Sequence, residues 1–149
     1  MNYLLSLVLV AAVTTGLIVK DETPMNSDTS AHERKIELVF ENETLTATLN
    51  NSKAAQDFRS LLPLTLNLED YAHTEKVSDL PKRLSTEDAP SGSKASAGDI
   101  AYYAPWGNLA IFYKDFRYSD GLVILGEIDG EITSLKESSS RTVTIRTVD

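Results

Sequence analysis

The sequence predicts a single, mainly β domain: a sandwich or, better, a closed barrel with helices packed at its ends. About eight short segments alternate apolar and polar residues, and turn residues separate them at close spacing. One segment of the globular region also has the apolar spacing of an amphipathic helix. Many short strands with one or two helices are typical of barrels that close on themselves.

An apolar segment opens the chain and a polar segment follows it. Residues 3–19 are almost entirely apolar, so residues 1–20 are expected to be a signal peptide or an N-terminal membrane anchor. Residues 21–33 are polar, contain Pro24 and lack an apolar period, which predicts a flexible tether. The globular domain is then expected over residues 34–149. This organisation predicts an extracytoplasmic protein, whether secreted, periplasmic or membrane-tethered, and leaves open whether the first segment is cleaved.

The first half of the domain is predicted to hold a hairpin and a helix. Two alternating segments, 35–40 and 44–49, are separated by turn residues and predict a β-hairpin. Residues 54–62 place apolar side chains on one helical face, behind a capping residue, and Pro63 ends that helix.

The remaining strands are predicted from alternation and from β-branched residues. They are expected at residues 64–68, 80–84, 99–104, 109–113, 122–125 and 141–148, with Glu127 and Ile128 following the fifth. Pro81 weakens the second of these strands. Turns are expected at 105–108 and 118–121. Residues 85–98 are rich in Ser, Ala and Gly and are expected to form a long surface loop, either functional or merely mobile.

Charge and composition exclude several classes of function. The formal net charge of −8 repels nucleic-acid phosphates and anionic lipids, so no nucleic acid is expected as a partner. Contact with a membrane is expected only through residues 1–20. The chain has no cysteine, and His32 and His73 lie far apart, so neither a metal site nor a cofactor is expected. Glu69 and Asp70 are expected on a turn with diverging side chains, which disfavours a glycosidase acid pair.

Three blocks of residues resemble the bacterial cyclophilin-like proteins. Residues 98–113 (GDIAYYAPWGNLAIFY) resemble the signature hairpin of that family, residues 118–128 (YSDGLVILGEI) its next element, and residues 58–66 (FRSLLPLTL) its helix-to-strand junction. The resemblance covers most of residues 35–147 and points to a bacterial protein. It implies a closed eight-stranded β-barrel with one or two capping helices.

Cyclophilins are prolyl isomerases, and the resemblance implies where their catalytic residues would fall. The enzyme must lower an amide-rotation barrier of roughly 18–20 kcal/mol, typically with an arginine that donates toward the prolyl nitrogen. The nearest arginine is Arg83. The isomerases also have a glutamine in the hairpin and a histidine after the next turn, and these positions fall at Leu109 or Ala110 and at Leu122. Only Phe112 matches a pocket aromatic. The resemblance therefore assigns no catalytic residue, and Arg83 is a candidate only if the protein is an isomerase.

The expected function is binding of a peptide or a small molecule in a shallow groove. Trp106 at a hairpin tip should be partly exposed, and alternation places Tyr102 and Tyr103 on opposite barrel faces. The expected ligand-binding residues are Phe112, Trp106, Tyr102 and Tyr113. Two alternatives stay open, a divergent prolyl isomerase and a structural accessory domain without a groove, as does a plain core role for Phe112. The sequence defines neither the ligand nor the oligomeric state.

Overall fold

The structure is a computed structural model that describes residues 16, 27–32, 34–137 and 139–148. Two α-helices, α1 (Ser27–His32) and α2 (Lys53–Ser60), and a 3-10 helix (Thr133–Lys136) accompany ten strands in this part of the chain. The strands are β1 (Lys35–Val39), β2 (Thr44–Leu49), β3 (Leu64–Tyr71), β4 (Glu75–Asp79), β5 (Gly92–Ala95), β6 (Asp99–Tyr103), β7 (Asn108–Phe112), β8 (Phe116–Asp120), β9 (Leu122–Ile128) and β10 (Arg141–Thr147).

Eight of these strands form a closed antiparallel barrel. Their order around the barrel is β1, β10, β3, β4, β7, β6, β9 and β2. The pairing of β2 with β9 completes the ring, with Thr48 opposite Glu127. The predicted closed eight-stranded barrel is therefore confirmed. Strands β5 and β8 pair only with each other and form a separate two-stranded sheet.

The barrel interior is filled by every second residue of its strands. On β1 the inward side chains are Ile36 and Leu38, and on the neighbouring β10 they are Val143 and Ile145. Because strand side chains alternate between two faces, the interior face must be apolar, and on β1 and β2 the outer face is more exposed. This alternation made the hairpin β1–β2 and the last strand predictable.

Helix α2 adds its buried face to the same interior core. Ala54, Ala55 and Phe58 are buried, and they pack with the inward residues of the strands. The Ser52 hydroxyl accepts a hydrogen bond from the Ala55 amide at 3.1 Å and caps the helix. The predicted capping helix is therefore present, and its last turn closes at Leu61, ahead of Pro63.

The strand predicted over residues 80–84 is wrong, and β4 lies just before it instead. Residues 80–84 contain no strand, and the buried Leu84 donates its backbone N–H to the Tyr102 hydroxyl at 3.2 Å. In β4 the inward position is held by Lys76, which is fully buried. A lysine at an inward position removes the apolar alternation by which a strand is recognised.

Three loop or turn predictions are also wrong. The expected loop 85–98 contains β5, and the expected turn 118–121 is mostly strand β8, with the turn confined to Gly121 at φ +78°. Strand β3 runs on to Tyr71, so Glu69 and Asp70 lie in a strand and not on a turn. The short polar strands β5 and β8 depend on pairing with each other, which their composition does not reveal.

A second apolar cluster lies outside the barrel, under the β5–β8 sheet. Its buried members, here called the outer cluster, are Ala95, Ala101, Ala110, Phe112 and Leu122. On β7 the inward residues belong to the interior core, while Ala110 and Phe112 face the opposite way. Phe112 is therefore buried outside the barrel and not in its interior.

The predicted export segment, residues 1–20, lies outside the described residues except for Gly16. Helix α1 falls within the predicted tether 21–33, where no helix was expected. Beyond it, Arg34 donates from its Nη1 to the carbonyl oxygen of Leu49 at 3.1 Å, which ties the start of the domain to β2. In the described ranges, no helix has both the length and the apolar character that crossing a bilayer requires.

Candidate functional site

A cleft of about 230 Å³ lies on the outer face of the barrel, beside the outer cluster. Three chain segments form its walls: the connection from β3 to β4, the β6–β7 hairpin, and strand β8. Five aromatic rings line it, those of Tyr71, Tyr103, Trp106, Phe112 and Phe116. A concave site lined by rings with a few polar groups is the usual form of a small binding site.

The floor of the cleft comes from the outer cluster. Phe112 and Leu122 are both almost fully buried and both line the cleft. In the β4–β7 pair, Glu75 lies directly opposite Phe112, so the two side chains share one face of the barrel. The carboxyl group of Glu75 therefore lies beside an apolar ring.

One wall presents an exposed indole held by two tyrosines. Trp106 is 57% exposed, and its ring meets those of Tyr71 and Tyr103 edge to face, with centroid separations of 5.6 and 5.2 Å. Such pairs contribute about 0.5–1.5 kcal/mol each beyond burial. The Gly107 amide donates to the Tyr103 carbonyl oxygen at 2.8 Å and closes the turn. The indole is thus fixed in position while it faces solvent.

The opposite wall is strand β8. The Phe116 ring lies 6.0 Å from the Phe112 ring, centroid to centroid, at an interplanar angle of 30°. The guanidinium carbon of the exposed Arg117 lies 5.3 Å from the centre of the Phe116 ring. This geometry places a cation at the mouth of the cleft, against the face of one of its rings.

A glycine contact joins the two walls. Gly121 has φ +78°, and a Cβ at this position would lie 2.7 Å from Cδ of Pro105. Its carbonyl oxygen accepts a hydrogen bond from the Ala104 amide at 3.0 Å, and its own amide donates to the Ser91 carbonyl oxygen at 2.8 Å. The turn after β8 therefore packs directly on the turn that carries Trp106.

Glu75 is the carboxyl group of the cleft, and burial raises its pKa to about 7. In the part of the chain that the structure describes, no hydrogen bond or ion pair reaches its side chain. A carboxylate removed from water without a partner favours its protonated form. Glu75 therefore changes its charge close to neutral pH.

A polar network lies behind the cleft, inside the barrel. Lys76 Nζ donates to the carbonyl oxygens of Glu137 and Ser139 and lies 3.3 Å from Asp70 Oδ1. The Tyr113 hydroxyl donates to Asp70 Oδ1 at 2.6 Å, and this bond, ahead of the effect of Lys76, lowers the pKa of Asp70. Burial and then the bond to Asp70 raise the pKa of Tyr113 to about 12. Because its charged groups satisfy one another, the network is suited to holding strands together rather than to binding a ligand.

The structure brings together two of the four residues predicted to bind a ligand. Trp106 and Phe112 line the same cleft. Tyr102 is buried in the barrel interior, where its hydroxyl accepts the hydrogen bond from Leu84, and Tyr113 belongs to the same interior core. Tyr102 and Tyr113 are thus placed away from the cleft, on the opposite side of the barrel wall.

The residues at the positions of the isomerase arginine, glutamine and histidine do not lie together in one site. Arg83 is exposed and donates from Nη1 to the Ala104 carbonyl oxygen at 2.7 Å, and it does not line the cleft. Leu109 is buried inside the barrel, Ala110 belongs to the outer cluster, and Leu122 lies on the cleft floor with its apolar side chain.

Sequence reasoning missed two charged residues of the cleft, Glu75 and Arg117. Each lies on a strand that was not predicted, β4 or β8, and no motif marks either one. The weak alternation of residues 116–120 was the one available signal for β8. Across the described ranges, no group of three or more His, Cys, Asp and Glu side chains is arranged to hold a metal ion.

Comparison with known proteins identifies the family. The fold is similar to the solution structure of a hypothetical protein from Archaeoglobus fulgidus, with a TM-score of 0.62 and 14% sequence identity over 79% of this chain and 97% of that one. No curated protein matches the chain. The model of the Cyclophilin-like family matches residues 38–146, and the chain therefore belongs to that family.

Proposed function

We propose that this cyclophilin-like domain is a non-catalytic module that binds a peptide or a small molecule in the cleft between Trp106 and Phe112. The observation that carries the proposal is the indole of Trp106, which is 57% exposed yet held by two rings above an apolar floor. Large aromatic side chains at the edge of a concave apolar site are the usual anchors of a bound partner.

We propose that the domain is not catalytic because of where its side-chain hydrogen-bond donors lie. Prolyl isomerisation needs a donor aimed at the prolyl nitrogen in a dry pocket, because only an interaction made in the twisted state lowers the barrier. Arg83 is engaged by the Ala104 carbonyl oxygen, away from the cleft. The positions compared with the glutamine and the histidine carry Leu109 or Ala110 and Leu122, none of which can donate from its side chain.

A divergent prolyl isomerase is the second candidate, and Arg117 is the observation that favours it. Its guanidinium lines the same cleft as Phe112, so a cation and an apolar wall are both present. However, Arg117 is exposed at the mouth, where water weakens its electrostatic effect on a bound amide. The third interpretation, a structural accessory domain, is disfavoured because it predicts no groove.

Binding can be tested with a matched pair of exposed tyrosines. Tyr71 is 45% exposed and Tyr118 is 48% exposed, but only Tyr71 lines the cleft. We would screen peptides and small molecules against the full chain by Trp106 fluorescence, then compare Tyr71→Ala with Tyr118→Ala. Tyr71→Ala should weaken binding about tenfold, which is 1.4 kcal/mol, and Tyr118→Ala should not. Equal effects of the two variants would place binding elsewhere.

Catalysis is tested on a standard Xaa-Pro peptide. The full chain should not accelerate isomerisation above the uncatalysed rate, because no donor is held against the prolyl nitrogen. Activity that is lost in Arg117→Ala but kept in Arg83→Ala would establish the second candidate instead.

We also propose export, on the basis of the apolar residues 1–20. A bacterial origin and an extracytoplasmic location both stay predictions. Fractionation of bacterial cells that express the full chain tests the location. The wild-type chain should leave the cytosol, and Leu7→Asp together with Leu9→Asp should retain it there by breaking the apolar run. Soluble full-length wild-type protein in the cytosol would contradict the proposal.

A further inference from the structure

We propose that the group bound in the cleft is a compact organic cation, an alkylammonium, held against the exposed parts of the Trp106 and Tyr71 rings with Glu75 as its counter-ion. This inference rests on the proposal that the cleft binds a ligand, and it adds the chemical class of that ligand. The same chemistry is found in a free choline-like molecule and in a methylated lysine side chain.

The rings at the mouth include two large exposed ones, Trp106 and Tyr71. Trp106 meets Tyr71 at 83° and Tyr103 at 80°, so the indole plane is nearly perpendicular to each tyrosine ring. Ring faces attract cations, and each such contact stabilises by about 0.5–1 kcal/mol when exposed and by about 2 kcal/mol when water is excluded.

These three rings carry no cation of the protein's own. In the part of the chain that the structure describes, the side-chain cations lie over other rings, those of Tyr113, Phe116 and Phe40. The exposed parts of Tyr71 and Trp106 are therefore not covered by a cation of the described residues.

Glu75 supplies an unpaired carboxyl group beside these rings. Carboxylates that are taken out of water are normally paired or hydrogen-bonded, because an isolated buried charge is costly. Glu75 lines the cleft without such a partner in the described residues. A ligand cation would supply the missing charge and favour the ionised carboxylate.

None of the charged groups around Glu75 takes this role. The titratable groups on the neighbouring elements are Asp70 and His73 on the β3 side, Lys76 on its own strand, Tyr113 after β7, Lys114, which lies over the Tyr113 ring, and Arg117 on β8. Lys76 points into the barrel and is bound by Asp70 and by two carbonyl oxygens. The exposed His73 lies 3.4 Å from Asp70. Arg117 lies over Phe116, on the opposite wall.

The size of the cleft fits a small group. Drug-sized ligands occupy sites of about 300–1,000 Å³, whereas this cleft measures about 230 Å³. A side-chain-sized cation with methyl groups matches both the space and the apolar floor formed by Phe112 and Leu122.

Choline and its neutral isostere, 3,3-dimethyl-1-butanol, give a direct test, because they share one shape and differ in charge. Both are titrated into the full chain at pH 8, with Trp106 fluorescence as the signal. Choline should bind at least about tenfold more tightly. Glu75→Gln should reduce that preference severalfold, to what the rings alone supply, while Arg117→Gln should strengthen choline binding by relieving repulsion. Urea denaturation of each variant checks that it is folded.

The pH dependence gives an independent readout. Because the pKa of Glu75 lies near 7, the carboxylate is mostly ionised at pH 8 and mostly protonated at pH 6. Choline affinity should therefore fall by up to about tenfold between pH 8 and pH 6, while the affinity of the neutral isostere stays constant. In Glu75→Gln the choline affinity should no longer change over this range.

The possible failures are distinguishable. Equal affinity for the two isosteres overturns the cation inference. A preference for choline that is unchanged in Glu75→Gln overturns the counter-ion role of Glu75. Both results leave the proposed binding function intact. A preference for the anion 3,3-dimethylbutanoate that is lost in Arg117→Gln also overturns the cation inference. No response to these probes or to the peptide and small-molecule screen overturns both proposals. If the inference is upheld, the affinity of a peptide that carries trimethyl-lysine is compared with that of choline. Tighter binding of the peptide indicates a protein ligand, and tighter binding of choline indicates a free molecule.

Discussion

Replacing Phe58 by alanine tests how much the capping helix contributes to the barrel. Phe58 is 0% exposed and is the largest side chain that α2 inserts into the interior core. A buried phenylalanine removes about 150–250 Å² from water. Alanine would lose most of that area, and about 150 Å² at 25 cal/mol per Å² corresponds to about 4 kcal/mol. A closed, hydrogen-bonded ring of strands cannot readily collapse into the space, so we expect a loss of about 4–5 kcal/mol.

The assay is urea denaturation followed by circular dichroism, with Trp106 fluorescence as a second probe. Arg59→Ala is the matched control, because Arg59 lies on the exposed face of the same helix. That control should change the free energy of unfolding by less than about 0.5 kcal/mol. A loss below about 1 kcal/mol for Phe58→Ala would refute the reasoning, since such values are typical of surface positions.

Three further predictions concern the barrel wall and the cleft. Lys76→Met should lower the free energy of unfolding in urea by about 3–5 kcal/mol, because it leaves the Asp70 carboxylate without its ammonium. Combining it with Asp70→Asn should restore part of that loss. Glu75→Gln should raise the melting temperature at pH 8 and leave it unchanged at pH 4. Burial raises the pKa of Glu75 in the folded state to about 7, above its unfolded value. The contribution of Glu75 to stability is therefore full below the unfolded pKa, where the carboxyl group is protonated, and is lost as pH rises through 7. Gly126→Ala should cost about 1–3 kcal/mol, because its Cβ would lie 2.3 Å from a carbonyl oxygen of β2. Gly130→Ala, with no atom within 4 Å of the added Cβ, should be nearly neutral in the same urea denaturation.

The barrel was most directly predictable where burial imposes alternation. Strands β1 and β2 expose one face and bury the other, so their sequences carry the period of two directly. Strand β4 breaks that pattern because Lys76 occupies an inward position, and its ammonium is satisfied by groups far away in the sequence. Tertiary hydrogen bonds of this kind leave no local trace.

The cleft was predictable only in part, for a related reason. Trp106 and Phe112 could be identified from the hairpin and from the family resemblance. Tyr102 and Tyr113 were predicted to bind the ligand, but they lie in the interior core. Placing them correctly requires knowing which face of β6, and of the chain just after β7, points inward. The register that pairs Tyr102 with Leu109 decides this, and it becomes available only with the sheet. Glu75 was missed because its strand was not recognised.

The separation of the cleft walls from the interior core bears on how this domain can change in evolution. Tyr71, Trp106 and Arg117 belong to three different surface segments, and none of them is part of the interior core. Substitutions at such positions usually have small effects on stability and act independently of the core. The barrel can therefore keep one backbone while these three side chains vary freely. A library randomised at these positions should yield mostly folded proteins with differing ligand preferences.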